Sequence, residues 1–321
     1  MGPIPIQEFD LIRFLEEPHL YPIKRIVAAT DMSPFASRAE TRAALLAQEL
    51  GSESLHLLHV IDNLALEALR YLDQPALDTE PRLMELSRSE LAGIKHKLSE
   101  KYQIQMTTTA LNVGRPHTEI VRYAQNMNAG LVVMAAHGAG FIRNLIIGST
   151  VDKVLRKLTQ PLLIVKEEPQ IPYQRILVPV DFSESSRQGI EMAMSIAPHA
   201  KITALHAFEV PLESKLRFHQ VSDEAIRAYR ARVKAQKTRK MLQLISGFDA
   251  PGDSLSQLIE LGSAPTVIRE KAEILESDLI VIGRHGQSAW EDMMLGSVTR
   301  RVIQEATCDV LVINQERSET T

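Results

Sequence analysis

The feature that most constrains this chain is a repeat. Residues 130–151 read G-L-V-V-M-A-A-H-G-A-G-F-I-R-N-L-I-I-G-S-T-V, and residues 278–299 read D-L-I-V-I-G-R-H-G-Q-S-A-W-E-D-M-M-L-G-S-V-T. His137-Gly138 recurs as His285-Gly286, and Gly148-Ser149 as Gly296-Ser297, each 148 positions later. A chain of 321 residues with such an offset is expected to hold two copies of one domain. In the second copy a β-branched apolar run, Leu279 to Ile282, stops at Gly283 and is followed by Gly286, Gly296, Ser297 and a segment with helical spacing. A continuous rather than alternating run reads as a buried parallel strand. Glycines between such a strand and a helix N-terminus let backbone N–H groups approach a phosphate.

The surroundings of the two stretches also match. Lys24 to Thr30 reads as the first strand, and Asp31-Met32-Ser33-Pro34 follows, with Ser33 suited to cap a helix and Pro34 to begin it. That helix runs to about Leu50. Leu55–Ile61 is the second strand, 62–81 a long, partly polar connection, 82–102 a helix, and Ile104–Val113 a strand ending at Gly114. A helix over 115–127 leads to the strand Leu131–Ala135. Ser149 and Asp152 have the spacing of a capping box, and Pro161–Val165 closes the unit. The order then repeats from Arg175, with Asp181-Phe182-Ser183 matching Asp31-Met32-Ser33, His206 matching His59, and Gly262 matching Gly114. The boundaries that follow are an extension over 1–22, one domain over 23–167, a Pro- and acid-containing linker over 168–172, and a second domain over 173–321. The extension carries Ile6, Phe9, Ile12 and Phe14, which could form one apolar helix face.

Alternation of apolar strands with helices implies an α/β fold, with a doubly wound parallel sheet in each domain and helices on both faces. If each five-stranded sheet has the order 3-2-1-4-5, its switch point lies between strands one and four. Asp181 then stands beside Gly283–Gly286, and Asp31 beside Ala135–Gly138. The formal net charge of −4 argues against binding nucleic acid through phosphate contacts. The run of cations from Arg227 to Lys240 reads as a solvated helix face. One cysteine, Cys308, excludes a disulfide framework. No apolar run approaches membrane-spanning length, and the N-terminus lacks a basic segment followed by an apolar one, so a cytoplasmic protein is expected.

The pattern G-x-x-G, nine residues, G-S, which here is Gly283-Arg284-His285-Gly286, Gln287–Leu295, Gly296-Ser297-Val298, resembles the nucleotide-binding signature of the universal stress protein family. V-P-V-D-F-S (Val178–Ser183), L-H-A (Leu205–Ala207) and L-L-H-V-I (Leu57–Ile61) extend the resemblance over nearly the whole chain beyond the first twenty or so residues. The resemblance implies a tandem protein of that family binding ATP or another adenine nucleotide, with Mg²⁺ as a possible companion. It places the ligand against Pro179, Val180, Asp181, Ala207, Gly283, Arg284, His285, Gly286, Gly296, Ser297 and Val298. The first-domain counterparts are Asp31, Val60, Gly138, Gly148, Ser149 and Thr150. Because single domains of the family dimerise, it also implies a pseudo-two-fold pairing of the two domains through Leu162–Val165 and Val310–Ile313, with a homodimer left open.

The chain departs from the pattern in two places. In the first domain the leading glycine is Ala135, whose methyl adds bulk and costs on the order of 1–2 kcal/mol if φ must be positive there. In the second, the nine-residue loop carries Trp290-Glu291-Asp292 and no Lys or Arg, and the first loop carries only Arg143. Acidic groups there would repel a triphosphate unless a metal bridges them. His59, His137, His206 and His285 lack the close spacing of a zinc site and read as hydrogen-bonded structural residues. No Ser–His–Asp order, paired carboxylates or phosphate-loop lysine stands out, and no catalytic or metal residue is assigned. The leading expectation is a regulatory nucleotide binder acting by conformational or association change. The alternatives are a slow ATP hydrolase or nucleotidyl transferase, with Glu291 or Asp292 on Mg²⁺, and a nucleotide-free scaffold.

Overall fold

The computed structural model describes residues 23–72, 79–104, 107–138, 147–210, 221–286 and 295–314. The N-terminal extension, Arg143 and the loop with Trp290, Glu291 and Asp292 lie outside these. The first half runs β1 (Arg25–Thr30), α1 (Ala36–Glu49), β2 (Ser54–Asp62), α2 (Asn63–Leu72), α3 (Thr79–Tyr102), β3 (Thr107–Gly114), α4 (Pro116–Asn126), β4 (Leu131–Ala135), α5 (Ser149–Lys157) and β5 (Leu162–Val165). The second runs β6 (Arg175–Pro179), α6 (Glu184–Ile196), β7 (Lys201–Phe208), α7 (Asp223–Ile245), β8 (Leu255–Leu261), α8 (Ala264–Ile274), β9 (Leu279–Gly283), α9 (Ser297–Glu305) and β10 (Asp309–Ile313).

The strands form one ten-stranded sheet, in the order β3-β2-β1-β4-β5-β10-β9-β6-β7-β8. Each half has the expected 3-2-1-4-5 order, but the two five-stranded sheets are continuous rather than separate. All pairs within a half are parallel, and the only antiparallel pair among the described strands joins β5 to β10. Leu163 faces Leu311, its own counterpart, while Ile164 faces Val310 and Leu162 faces Val312. A pseudo-two-fold axis therefore passes between Leu163 and Leu311.

Parallel strands covered on both faces must be apolar on both, and the central ones are: Ile26, Val27 and Ala28 are fully buried, as are Leu131, Val132 and Val133. Alternate residues feed two cores. One contains Ala28, Leu57, Leu163, Val178 and Leu311, and the other Val27, Leu58, Ile164, Leu177 and Val310. Both cores run through the β5–β10 junction, so the domains share their hydrophobic interior. Among the described residues no helix is long and apolar enough to cross a membrane.

Two local readings need correction. The connection expected over 62–81 contains α2, whose N-L-A-L-E-A-L-R-Y-L has helical spacing and opens with Asp62 Oδ1 accepting from Leu64 N at 3.0 Å. The capping box expected at Ser149 and Asp152 is not made. Ser149 is already helical, Gly148 is the N-cap without a side-chain bond, and Asp152 pairs with Arg156 one turn on.

Candidate functional site

The C-terminal ends of β1 and β4 lie side by side, at the switch in strand order, and their connections leave in opposite directions. A cleft of about 260 Å³ opens there in the first domain. Its lining includes Asp31, Val60, Ala135, His137, Gly138, Gly148, Ser149 and Thr150. All six first-domain residues singled out from sequence are thus brought together. The apolar wall, which sequence reasoning missed, comes from Ala29, Leu58, Pro116, Ile120 and Met134. Pro116 could have been found from its place at the first position of α4, directly after the strand that ends at Gly114.

Asp31 and Asp181 organise the turn after β1 and after β6. Asp31 Oδ1 accepts from Ser33 N at 3.1 Å, and Asp181 Oδ1 accepts from Ser183 N at 3.0 Å, Ser183 Oγ at 2.5 Å and Ser186 Oγ at 2.7 Å. The residue after each aspartate, Met32 or Phe182, has φ of 60° or 66°. A left-handed Met or Phe is uncommon, and the aspartate–serine bonds hold the strained turn. The other carboxylate oxygen meets the glycine loop: a Cβ on Gly138 would lie 2.3 Å from Asp31 Oδ2, and one on Gly286 would lie 2.7 Å from Asp181 Oδ2. At both positions a side chain would force the carboxylate to shift, and glycine leaves it in place.

Of the two objections to Ala135, the backbone one falls away. Gly283 is absent from the positive-φ residues, and so is Ala135, so the position demands no left-handed backbone. A Cβ on Gly283 would meet Ser185 Cβ at 3.0 Å and His285 O at 3.2 Å, a tight local fit. In the first domain Ala135 lines the cleft, where its added bulk was expected.

Helix α5 begins at the cleft. Ser149 is exposed, Thr150 is half-buried, and no side chain caps the helix. The end therefore retains donors for an anion. Burial, then the nearby Lys166 and Arg38, lower the proton affinity of His137, favouring its neutral form. His59 and His206 are structural, as expected: Nδ1 of His59 lies 2.9 Å from Thr30 O, and Nδ1 of His206 lies 2.7 Å from Val180 O. Each ring ties β2 or β7 to the residue preceding the aspartate.

In the second domain Pro179 ends β6, Val180 is buried, Ala207 lies near the end of β7, and Gly283 ends β9. His285 is half-buried and Gly286 exposed, while Gly296 caps α9 and is followed by exposed Ser297 and half-buried Val298. Arg284 is the exception. Its side chain is buried and points across the domain junction, where Nη2 donates to Arg156 O at 2.6 Å and Nη1 to Leu158 O at 3.3 Å. Among the described residues the guanidinium's hydrogen bonds lie at the domain junction, while its backbone stays at the glycine loop, with the Arg284 carbonyl accepting from Gly296 N at 3.0 Å.

Residues 22–166 and 172–314 each match the profile of the universal stress protein family. The chain is 23% identical to universal stress protein Mb2019 of Mycobacterium bovis, over 89% of this chain and 94% of that one. It is 26% identical to universal stress protein MJ0577 of Methanocaldococcus jannaschii, over 45% of this chain and 96% of that one. The crystal structure of a universal stress protein from Archaeoglobus fulgidus superposes with a TM-score of 0.66 at 18% identity, covering 92% of this chain and 99% of that one. With a match in each half and the doubled fold to go with it, the chain belongs to the universal stress protein family.

Proposed function

We propose that the chain binds an adenine nucleotide, ATP or a close relative, in the first-domain cleft and at the matching place in the second domain. Binding acts through a change of conformation or association. The observation that carries this reading is the cleft itself. Leu58, Val60, Ile120 and Met134 offer an apolar wall to a base, and the uncapped start of α5 offers backbone and hydroxyl donors to phosphates. Arg115, Lys153 and Lys157 are close enough to His117 to add to the effect of burial in lowering its proton affinity. They add positive charge on the α4–α5 side to the single Arg143 of the loop sequence. The G-x-x-G, nine, G-S spacing supports the same reading for the second domain.

Beside Asp31 and His137, the groups gathered at the cleft are donors and apolar walls. Among the described residues no cluster of three His, Cys, Asp or Glu is placed to hold a metal ion. Equilibrium dialysis of nucleotide-stripped protein against labelled ATP with Mg²⁺ tests the reading. Two bound nucleotides per chain are expected. Ser149→Glu, which sets a carboxylate where a phosphate would sit, should weaken the first-domain site at least tenfold, about 1.4 kcal/mol or more. No binding at millimolar ATP overturns the proposal.

A further inference from the structure

The two helices that begin at the sites end at the domain junction, and each is capped there by the other domain. The carbonyl end of α5 receives Arg284 Nη2 on Arg156 O (2.6 Å) and Arg284 Nη1 and Asn314 Nδ2 on Leu158 O (3.3 and 2.9 Å). Asn314 Nδ2 also reaches Gln160 O at 3.1 Å, and Asn314 Oδ1 accepts from Arg284 Nη1 at 3.3 Å. The carbonyl end of α9 receives Lys166 Nζ on Ile303 O (2.8 Å) and on Ala306 O. Lys166 and Asn314 are counterparts under the repeat. Arg284 has no such counterpart: the matching residue is Ala136, which makes the same backbone bonds, Ala136 N to Val165 O and Gly148 N to Ala136 O, both 2.8 Å, and has no side chain to send across.

Arg284 therefore touches both sites without its side chain facing either. Its backbone bonds to Ile313 O and Gly296 N, inside the second domain's glycine loop and at the start of α9. Its guanidinium closes the far end of the helix whose start forms the first-domain cleft. Helix α5 has nine residues and spans about 14 Å. A helix this short frays readily, and a cation on its last carbonyls opposes fraying and complements its dipole. An anion at the first turn depends on the same aligned peptides.

We propose that Arg284 is a positioning residue that couples the two sites: a ligand ordering Gly283–Gly286 in the second domain holds the guanidinium on α5 and tightens anion binding at the start of α5 in the first. The proposal rests on the nucleotide-binding reading. The coupling is reciprocal, as any binding linkage is. The side-chain asymmetry means that one residue, rather than a symmetric pair, carries it.

The test is ATP–Mg²⁺ titration calorimetry on the full chain, wild type against Ser297→Glu, where the carboxylate suits the helix start but excludes phosphate from the second site. First-domain affinity is then read with the second site open and with it closed. An open second site is expected to tighten first-domain binding about tenfold, and Arg284→Ala to remove that difference and to speed amide exchange over 149–158, with Arg284→Lys restoring part of both. Equal first-domain affinity with the second site open and closed, or a difference that survives Arg284→Ala, overturns the proposal. If Arg284→Ala does not fold, a difference unchanged in Arg284→Lys overturns it as well. Wild type that binds ATP beside a Ser297→Glu parent that does not would sink the coupling but leave the nucleotide reading. Wild type that binds none would sink both.

Discussion

Asp31 and Gly138 come from segments a hundred residues apart, and their contact fixes the geometry of the first-domain cleft. A methyl on Gly138 would overlap Asp31 Oδ2, at 2.3 Å, on a carboxylate already bound through Oδ1 to Ser33 N. Gly138→Ala is expected to cost about 1–3 kcal/mol in urea unfolding. In an Asp31→Ala background the same change should cost well under 1 kcal/mol, because the overlapping atom is gone. Additive costs would show that the glycine serves the backbone rather than the contact. The sequence paired these residues correctly through the expected strand order. It left backbone strain at Ala135 conditional, because φ is a tertiary fact that one letter does not carry. Arg284 carried a second role that its letter does not show: its backbone belongs to the loop, while its long side chain serves the other domain.

At the scale of elements, the turns after β3 and β8 aim α4 and α8 at the sheet. Gly114 and Gly262 end these strands with φ of 154° and 146°, where L side chains are strained. A Cβ on Gly262 would also meet Val267 Cγ2 at 2.8 Å. Gly262→Ala is therefore expected to lower stability by roughly 2–3 kcal/mol, and in a Val267→Ala background the same change should cost less by only the contact part. No cost in that background, measured by the urea midpoint, would mean that the backbone is not strained. The matched glycines were legible in the sequence because the repeat aligned them. Helix α2 was not, since polar residues at 62–63 and the Pro-containing stretch beyond 72 masked ten residues of helical spacing. The absent capping box is the converse case. Ser149 and Asp152 have the spacing, but Gly148 occupies the cap and Asp152 faces Arg156, which leaves the helix start open.

At the scale of the whole molecule, a buried polar cluster also breaks the pseudo-two-fold symmetry. Asp309 accepts from Tyr173 Oη at 2.6 Å and Lys166 N at 2.8 Å, and Arg42 Nε stands 3.5 Å away. The Arg42 guanidinium lies 3.9 Å from the Tyr173 ring centre, and Arg42 Nη1 donates to Ile171 O in the linker at 2.8 Å. The matching positions in the repeat are Met192, Pro161 and Ile23, all apolar. The cluster thus marks the face on which the linker crosses, and the repeat pattern alone gave no sign of it. It joins α1 of one domain to β10 of the other, beneath a sheet and two cores that are already continuous. Unfolding is expected to be a single transition. Arg42→Ala would leave the Asp309 carboxylate buried without its cation, a change worth about 3–5 kcal/mol. Burial already raises the Asp309 carboxyl above its ordinary range, against the pull of Tyr173, the Lys166 amide and Arg42. Losing Arg42 raises it further. A folded-state pKa above the unfolded value means that the folded protein binds a proton more readily. The deficit of Arg42→Ala is therefore full above the variant's folded pKa and shrinks as pH falls through it toward the wild type's folded pKa, itself raised. Urea midpoints of wild type and Arg42→Ala should converge between pH 7 and pH 4.5, and Arg42→Ala with Asp309→Asn should lose that convergence. A deficit independent of pH in the single variant would show that the arginine acts by packing on Tyr173 and not by its charge.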